Sequence, residues 1–257
     1  MITIKTPEEI NIMKEGGKIL AVILRELKEM VKPGITTKNI EKKAEELLSR
    51  HKVDSAFLNY GGFPSVLCAS VNEEVVHCVP NKKELKNGDL LSIDMGLIYK
   101  GFNLDSAVTV PVIEEGEYWN WAALNPQKEK LIQVTKKALE LGIKEIKPGR
   151  RTGVVSSVIQ KLVENNNFNI VKELTGHGIG RRLHEDPQIP NFGSKNEGPI
   201  MKEGMVIAVE PIVSVGDWRI KEGDDGHSYV TKDRSLTAHF EHTVAILKDG
   251  PIILTKE

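Results

Sequence analysis

The tripeptide Lys-Pro-Gly occurs twice in the chain, at Lys32 to Gly34 in "VKPGITT" and at Lys147 to Gly149 in "IKPGRRT", 115 residues apart. Each copy interrupts a helical pattern. Residues 8 to 30 read as an amphipathic helix before the first turn, and "TKNIEKKAEELLSRH" follows it with Ile40, Ala44, Leu47 and Leu48 on one stripe. Residues 128 to 147, then Val154 to Val163, repeat the plan around the second turn. A repeat this long is not a solenoid unit. It implies two similar halves, roughly 1–120 and 121–257, packed as a single domain over 1–257.

Each helix pair leads into a strand-rich stretch. "DLLSIDMGLIYKGFNLDSAVTVPV" predicts a hairpin turning near Lys100-Gly101, while "GMVIAVEPIVSV" and "HFEHTVAILKDG" each read as a strand rich in Val and Ile. Helices outside a mostly antiparallel sheet define an α+β class, with Glu114 to Pro126 as the link between halves.

The 40% hydrophobic content supports a sizeable core, and 35 Lys plus Arg against 36 Asp plus Glu leave a formal charge of -1, no general reason to expect a nucleic-acid partner. The N-terminal "MITIKTPEEINIMKEGG" has acids where a secretion signal needs an apolar core, and no run is long enough to span a membrane. Two cysteines, Cys68 and Cys78, are too few for a disulfide framework. A cytoplasmic protein is the resulting expectation.

Against that background, "LTGHGIGRRLHED" concentrates two of seven histidines, His177 and His184, among three glycines that argue against a helix. Four acids occupy equally unusual surroundings: Asp94 in "LLSIDMG", Asp105 in "GFNLDSA", Glu210 in "IAVEPIV" and Glu241 in "AHFEHTV". A carboxylate among branched apolar neighbours is costly unless paired, hydrogen-bonded or metal-bound. Four converging carboxylates would repel without cations between them. Taken singly, each acid reads equally well as a strand-end or buried hydrogen-bonded residue. As a set with His177 they suit hard or borderline divalent ions, and two close ions would support hydrolysis of an amide.

Among the remaining histidines, His77 and His184 read as structural or as proton-moving groups beside a site. His51 fits a helix C-terminus, and His242 would point to the face opposite Glu241. "GHGIG" lacks a full dinucleotide fingerprint, and there is no phosphate loop, HExxH or nucleophile elbow. Cys68 is most simply a buried small hydrophobe.

"SIDMG", "LDSA", "TGHGIGRRLHEDP", "VEPI" and "KDRSLTAHFEHTV", in that order over essentially the whole chain, resemble the type I methionine aminopeptidases. The resemblance implies the pita-bread fold, two pseudo-symmetric halves around a curved, mostly antiparallel sheet. It also implies a centre of two divalent ions, drawn from Co, Mn, Fe, Zn or Ni, held by Asp94, Asp105, His177, Glu210 and Glu241, with Asp105 and Glu241 bridging. His77, His184 and Glu210 would serve catalysis. Phe57, Tyr60, Phe63, Cys68, Leu183 and His227 would line the substrate pocket together with His77 and His184. His227 stands where relatives often carry tryptophan, and His239 where glutamine is more usual. The implied activity is removal of the initiator methionine ahead of a small second residue. The implied partners are nascent N-termini near the ribosome exit, acted on by a monomer without nucleic-acid or membrane function. An X-Pro aminopeptidase or dipeptidase of the same fold, and a non-catalytic binding relative, are the alternatives.

Overall fold

The computed structural model describes residues 1–114, 116 and 120–257. Helix α1, Pro7–Glu29, begins where Thr6 and Glu9 form a reciprocal capping box around Pro7 in the first turn. Helix α2, Thr37–His51, starts with a second such box between Thr36 and Asn39. The strands that follow are β1, Asp54–Ser55, β2, Cys68–Val71, and β3, Glu74–Val76. The predicted hairpin forms from β4, Leu90–Tyr99, and β5, Phe102–Pro111, turning through Lys100 and Gly101. In the predicted link, residues 115 and 117–119 lie outside the described residues, and a short helix α3, Trp121–Leu124, follows.

The second half opens with α4, Pro126–Lys144, and α5, Gly153–Asn165. Its strands are β6, Asn169–Ile170, β7, Thr175–Gly178, β8, Glu185–Pro190, β9, Val206–Val209, β10, Ile212–Ser214, β11, Ile220–Glu222, β12, Tyr229–Thr231, β13, Thr237–His239, β14, His242–Leu247, and β15, Gly250–Ile253. One sheet runs β1-β4-β2 with β5 on β4, a second β15-β14-β9-β7-β8, and two three-stranded sheets run β13-β10-β6 and β11-β12-β3. Helices α1 and α2 pack on the β4–β5 hairpin over one apolar cluster, and α4 and α5 cover a second cluster in the other half. The helices therefore leave the interior of the curved sheets free for the acids.

The two Lys-Pro-Gly turns are structurally equivalent. Gly34 and Gly149 both adopt left-handed φ values, 82° and 86°, which a glycine takes without a Cβ penalty. The Gly34 amide donates to Leu85 O while Leu85 N donates to Ile35 O; the Gly149 amide donates to Met201 O while Met201 N donates to Arg150 O. Nine residues beyond Leu85 stands Asp94, and nine beyond Met201 stands Glu210.

The halves meet along a seam between β5 and residues 239–243. Glu241 N donates to Ala107 O at 2.9 Å and Ala107 N to Glu241 O at 3.4 Å. On either side, Thr109 Oγ1 donates to His239 O and the Thr243 hydroxyl to Asp105 O. This seam corrects one sequence expectation: neither 204–215 nor 239–250 is a continuous strand. Each breaks at its glutamate, between β9 and β10 and between β13 and β14, because the chain passes there from one sheet to another. Pro211, which has no amide hydrogen to donate, stands at the first crossing.

Across the fold, Lys5 is buried against Glu185, Nζ to Oε2 at 2.8 Å, with side chains only 4% and 2% exposed. The other Glu185 oxygen accepts from Arg182 N, so the pair ties the loop carrying Leu183 and His184 to the N-terminal segment. Removing one member of a buried pair strands the other charge. Lys5→Met is therefore expected to lower unfolding stability by about 3–5 kcal/mol in urea titration, and adding Glu185→Gln to recover part of that loss.

Candidate metal centre

The hairpin register decides where the two aspartates point. Asp94 lies opposite Ala107, and Asp105 opposite Gly96, so both carboxylates project from the same face on diagonal positions. Gly96 keeps the place opposite Asp105 open: a Cβ there would sit 2.7 Å from the Phe57 ring. Cys68 pairs with Asp94 from β2 and shares that face.

His177 enters from β7. Its Nδ1 lies 2.8 Å from Gly178 O. A carbonyl only accepts, so Nδ1 carries the hydrogen and Nε2 presents its lone pair, 3.5 Å from Glu210 Oε1. Ligand atoms of Asp105, His177 and Glu241 all fall within 4.8 Å of one another. The two glutamates arrive from the strand breaks, where they escape the alternation of a regular strand.

All thirteen residues singled out in the sequence line one cavity of about 300 Å³. Phe57, Phe63, Cys68 and Leu183 form buried apolar wall. The Tyr60 hydroxyl meets His184 Nδ1 at 2.7 Å, and the Phe63 and His227 rings meet edge to face at 5.8 Å. The His184 ring stands 4.4 Å from that of His177, and His77 adopts a left-handed φ of 56° just past β3. The sequence reading missed Gly61, Val76, Leu174, Thr175 and Ile212 as further lining. Thr175 and Ile212 each stand two residues from an identified group, His177 and Glu210, and the period of two along a strand was the signal available for Thr175.

The electrostatics follow from burial. Among the described residues, no lysine or arginine lines the cavity. Burial pushes Asp105 up to about 7. Burial raises Asp94, Glu210 and Glu241 well above the usual carboxylate range, reinforced by the neighbouring carboxylates. The same desolvation drives His177 down to about 4 and His239 down to about 3. Asp94 Oδ1, Asp105 Oδ1 and Glu241 Oε1 are buried without a hydrogen-bond partner, as are both ring nitrogens of His239, whose Nε2 is 3.9 Å from Glu241 Oε2. Unpartnered carboxylate oxygens facing a neutral imidazole nitrogen are what a divalent cation of intermediate hardness satisfies. The donor set fits a metal.

The model of metallopeptidase family M24 matches residues 11–248. The chain belongs to metallopeptidase family M24. A methionine aminopeptidase of Mycoplasma capricolum is 44% identical over 256 residues, covering 100% of this chain and 99% of its own. The crystal structure of a methionine aminopeptidase from Thermotoga maritima superposes with a TM-score of 0.94 at 47% identity, over 100% of both chains. A prolidase from Pyrococcus furiosus gives a TM-score of 0.76 at 23% identity, over 99% of this chain and 65% of that one, a likeness of fold alone. This M24 chain has the pita-bread fold, and among its described residues no helix is long and apolar enough to cross a membrane.

For this M24 protein the raised carboxylates fix the sign of a pH effect. A group whose folded pKa exceeds its unfolded one stabilises the fold at low pH and loses that contribution as pH rises through the folded value. His177 and His239 act in the opposite sense, but only below the ordinary imidazole pKa of about 6.5. The four carboxylates outnumber the two imidazoles, so metal-free protein is expected to lose thermal stability as pH rises from the ordinary carboxylate range of about 4 through the Asp105 value of about 7, and to go on losing it above that as Asp94, Glu210 and Glu241 ionise. Added Mn²⁺ should flatten that decline in a melting series.

Proposed function

We propose that the chain is a metal-dependent methionine aminopeptidase, removing the N-terminal methionine of nascent proteins and peptides when the second residue is small. The observation that carries this reading is the cavity itself, in which unpartnered carboxylates adjoin a wall of Phe57, Phe63, Cys68 and Leu183. An unbranched thioether suits such a wall of aromatic and soft atoms. Methionine aminopeptidases matched over their full length add to the support. The X-Pro reading has only the shared fold behind it, and a binding-only relative would have no use for buried acids without partners.

In this reading Asp94, Asp105, His177, Glu210 and Glu241 would hold two divalent ions, with Asp105 and Glu241 shared between them. Five side chains cannot otherwise fill two shells. When bound, the ions supply Lewis acidity toward the scissile carbonyl and an acidified water. The protein's own groups do the rest. Glu210 would be the group beside the site that takes up and returns a proton. His184, held at Nδ1 by the Tyr60 hydroxyl, presents Nε2 to the substrate carbonyl. His77 assists the departing amine. The free α-amine of the substrate faces the carboxylates, so an acyl group on it blocks the reaction. His227, against Phe63, closes the pocket where its chemistry bears on the second residue.

We also infer that the single catalytic domain, 1–257, is a duplication of about 1–120 and 121–257. The matched hydrogen bonds around Gly34 and Gly149 support it.

Incubation of the protein with Met-Ala-Ser, read by mass spectrometry, should release methionine with Mn²⁺, Fe²⁺ or Co²⁺ and not with chelator, while Ala-Pro stays intact. Cleavage of Ala-Pro alone would overturn the specificity. In metal analysis, Asp105→Ala and Glu241→Ala should each bind less metal than the unaltered chain. His184→Ala should keep its metal and lose about 10²-fold or more in kcat; loss of metal in that variant would make His184 a ligand instead of a partner of the substrate carbonyl.

A further inference from the structure

A second cavity, of about 670 Å³, opens between α1 and α4. It lies behind the acids. Ser106 and His242 line it, each the chain neighbour of a residue lining the first cavity, Asp105 and Glu241. Alternate side chains of the seam thus face two separate spaces. The wall is apolar, with Leu24 from α1, Leu139 and Ile143 from α4, and Phe240 and Ile253 on the sheet side. His242 is held there by Thr255, Nδ1 to Oγ1 at 2.9 Å.

The rim carries an excess of positive charge. Lys28, Lys136, Lys144 and Lys256 border the cleft, and among the described residues none has a carboxylate within ion-pair distance. The two rim acids are already engaged: Glu257 with Arg25 at 2.8 Å and Glu140 with Lys137 at 3.1 Å. In a chain of net charge -1, this concentration of unmatched lysines is local. An apolar cavity of several hundred Å³ with a few placed charges is the usual form of a small-molecule site.

We propose that this cleft binds a free fatty carboxylate, with its tail along Leu24, Leu139, Ile143 and Phe240 and its head among Lys136, Lys144 and Lys256. The combination selects an amphiphile, since the lysines complement an anion and the wall an alkyl chain. Concavity selects a single molecule over a membrane surface: Phe240 is buried on the sheet side between two helices, beyond the reach of a flat bilayer.

The test is calorimetric titration of the full chain with dodecanoate, kept below its micellar concentration. Alongside it run dodecyltrimethylammonium, the variant Lys136→Glu/Lys256→Glu, and vesicles containing phosphatidylglycerol. The expected result is one dodecanoate per chain, bound at least tenfold more tightly than the cationic amphiphile and at least tenfold more weakly by the variant. Hydrolysis of Met-Ala-Ser by that variant should match the unaltered chain, since neither lysine lines the cavity that holds the acids. Dodecanoate binding that is unchanged in the variant would put the ligand in the catalytic cavity and overturn the proposal. So would equal affinity for both amphiphiles, or retention on vesicles without binding of the monomer.

Discussion

Four buried or half-buried carboxylates share one cavity that, among the described residues, no lysine or arginine lines, and most of the local architecture serves to hold them there. Mutual repulsion and desolvation both oppose the arrangement, which is why the acids are driven toward their protonated forms in the protein alone. A divalent cation reverses both penalties at once. The backbone around the acids is satisfied independently of any ion. Asp105 accepts from Thr243 through its carbonyl, Glu241 exchanges backbone bonds with Ala107, and the Glu210 carbonyl accepts from Asn191. The backbone that carries these side chains is therefore held by the fold itself.

The seam between halves explains how such a cluster is built. Regular ladders supply the aspartates, whose short side chains are aimed by strand register. The crossings between sheets supply the glutamates, whose longer side chains reach inward from positions outside any ladder. His177 contributes the only nitrogen among the five groups, its tautomer fixed by the Gly178 carbonyl. Tyr60 and His184 are both exposed, joined to one another, and anchored from behind by the buried Lys5–Glu185 pair.

Much of this was legible in the sequence. The four long helices fall within a few residues of their periodic patterns because a Lys-Pro-Gly turn separates each pair, and Thr6 and Thr36 cap the first two. The β4–β5 hairpin is legible because strand propensity and the Lys100-Gly101 turn agree. Asp94, Asp105, His177, Glu210 and Glu241 stood out because ionisable groups sat in apolar or glycine-rich contexts. The breaks at Glu210 and Glu241 were not legible: continuous Val and Ile runs carry no mark of a strand that changes sheets, since that depends on pairings such as β9 with β14 and β10 with β13, between segments distant in sequence. Leu174 and Val76 were missed for a related reason, as an apolar residue that lines a cavity looks no different in sequence from one in the core.

The symmetry of the frame also has a chemical limit. In a dimer of identical halves, an interface around a two-fold axis places the same side chain at both equivalent positions. A single chain is free of that restriction. Here Asp94 stands nine residues past Leu85 and Glu210 nine past Met201, and the imidazole of His177 lies 3.5 Å from the Glu210 carboxylate. An acid of one length thus faces an acid of another, and one imidazole joins four carboxylates. Donor character is therefore uneven across the cavity, a property that a site built from two identical halves would lack.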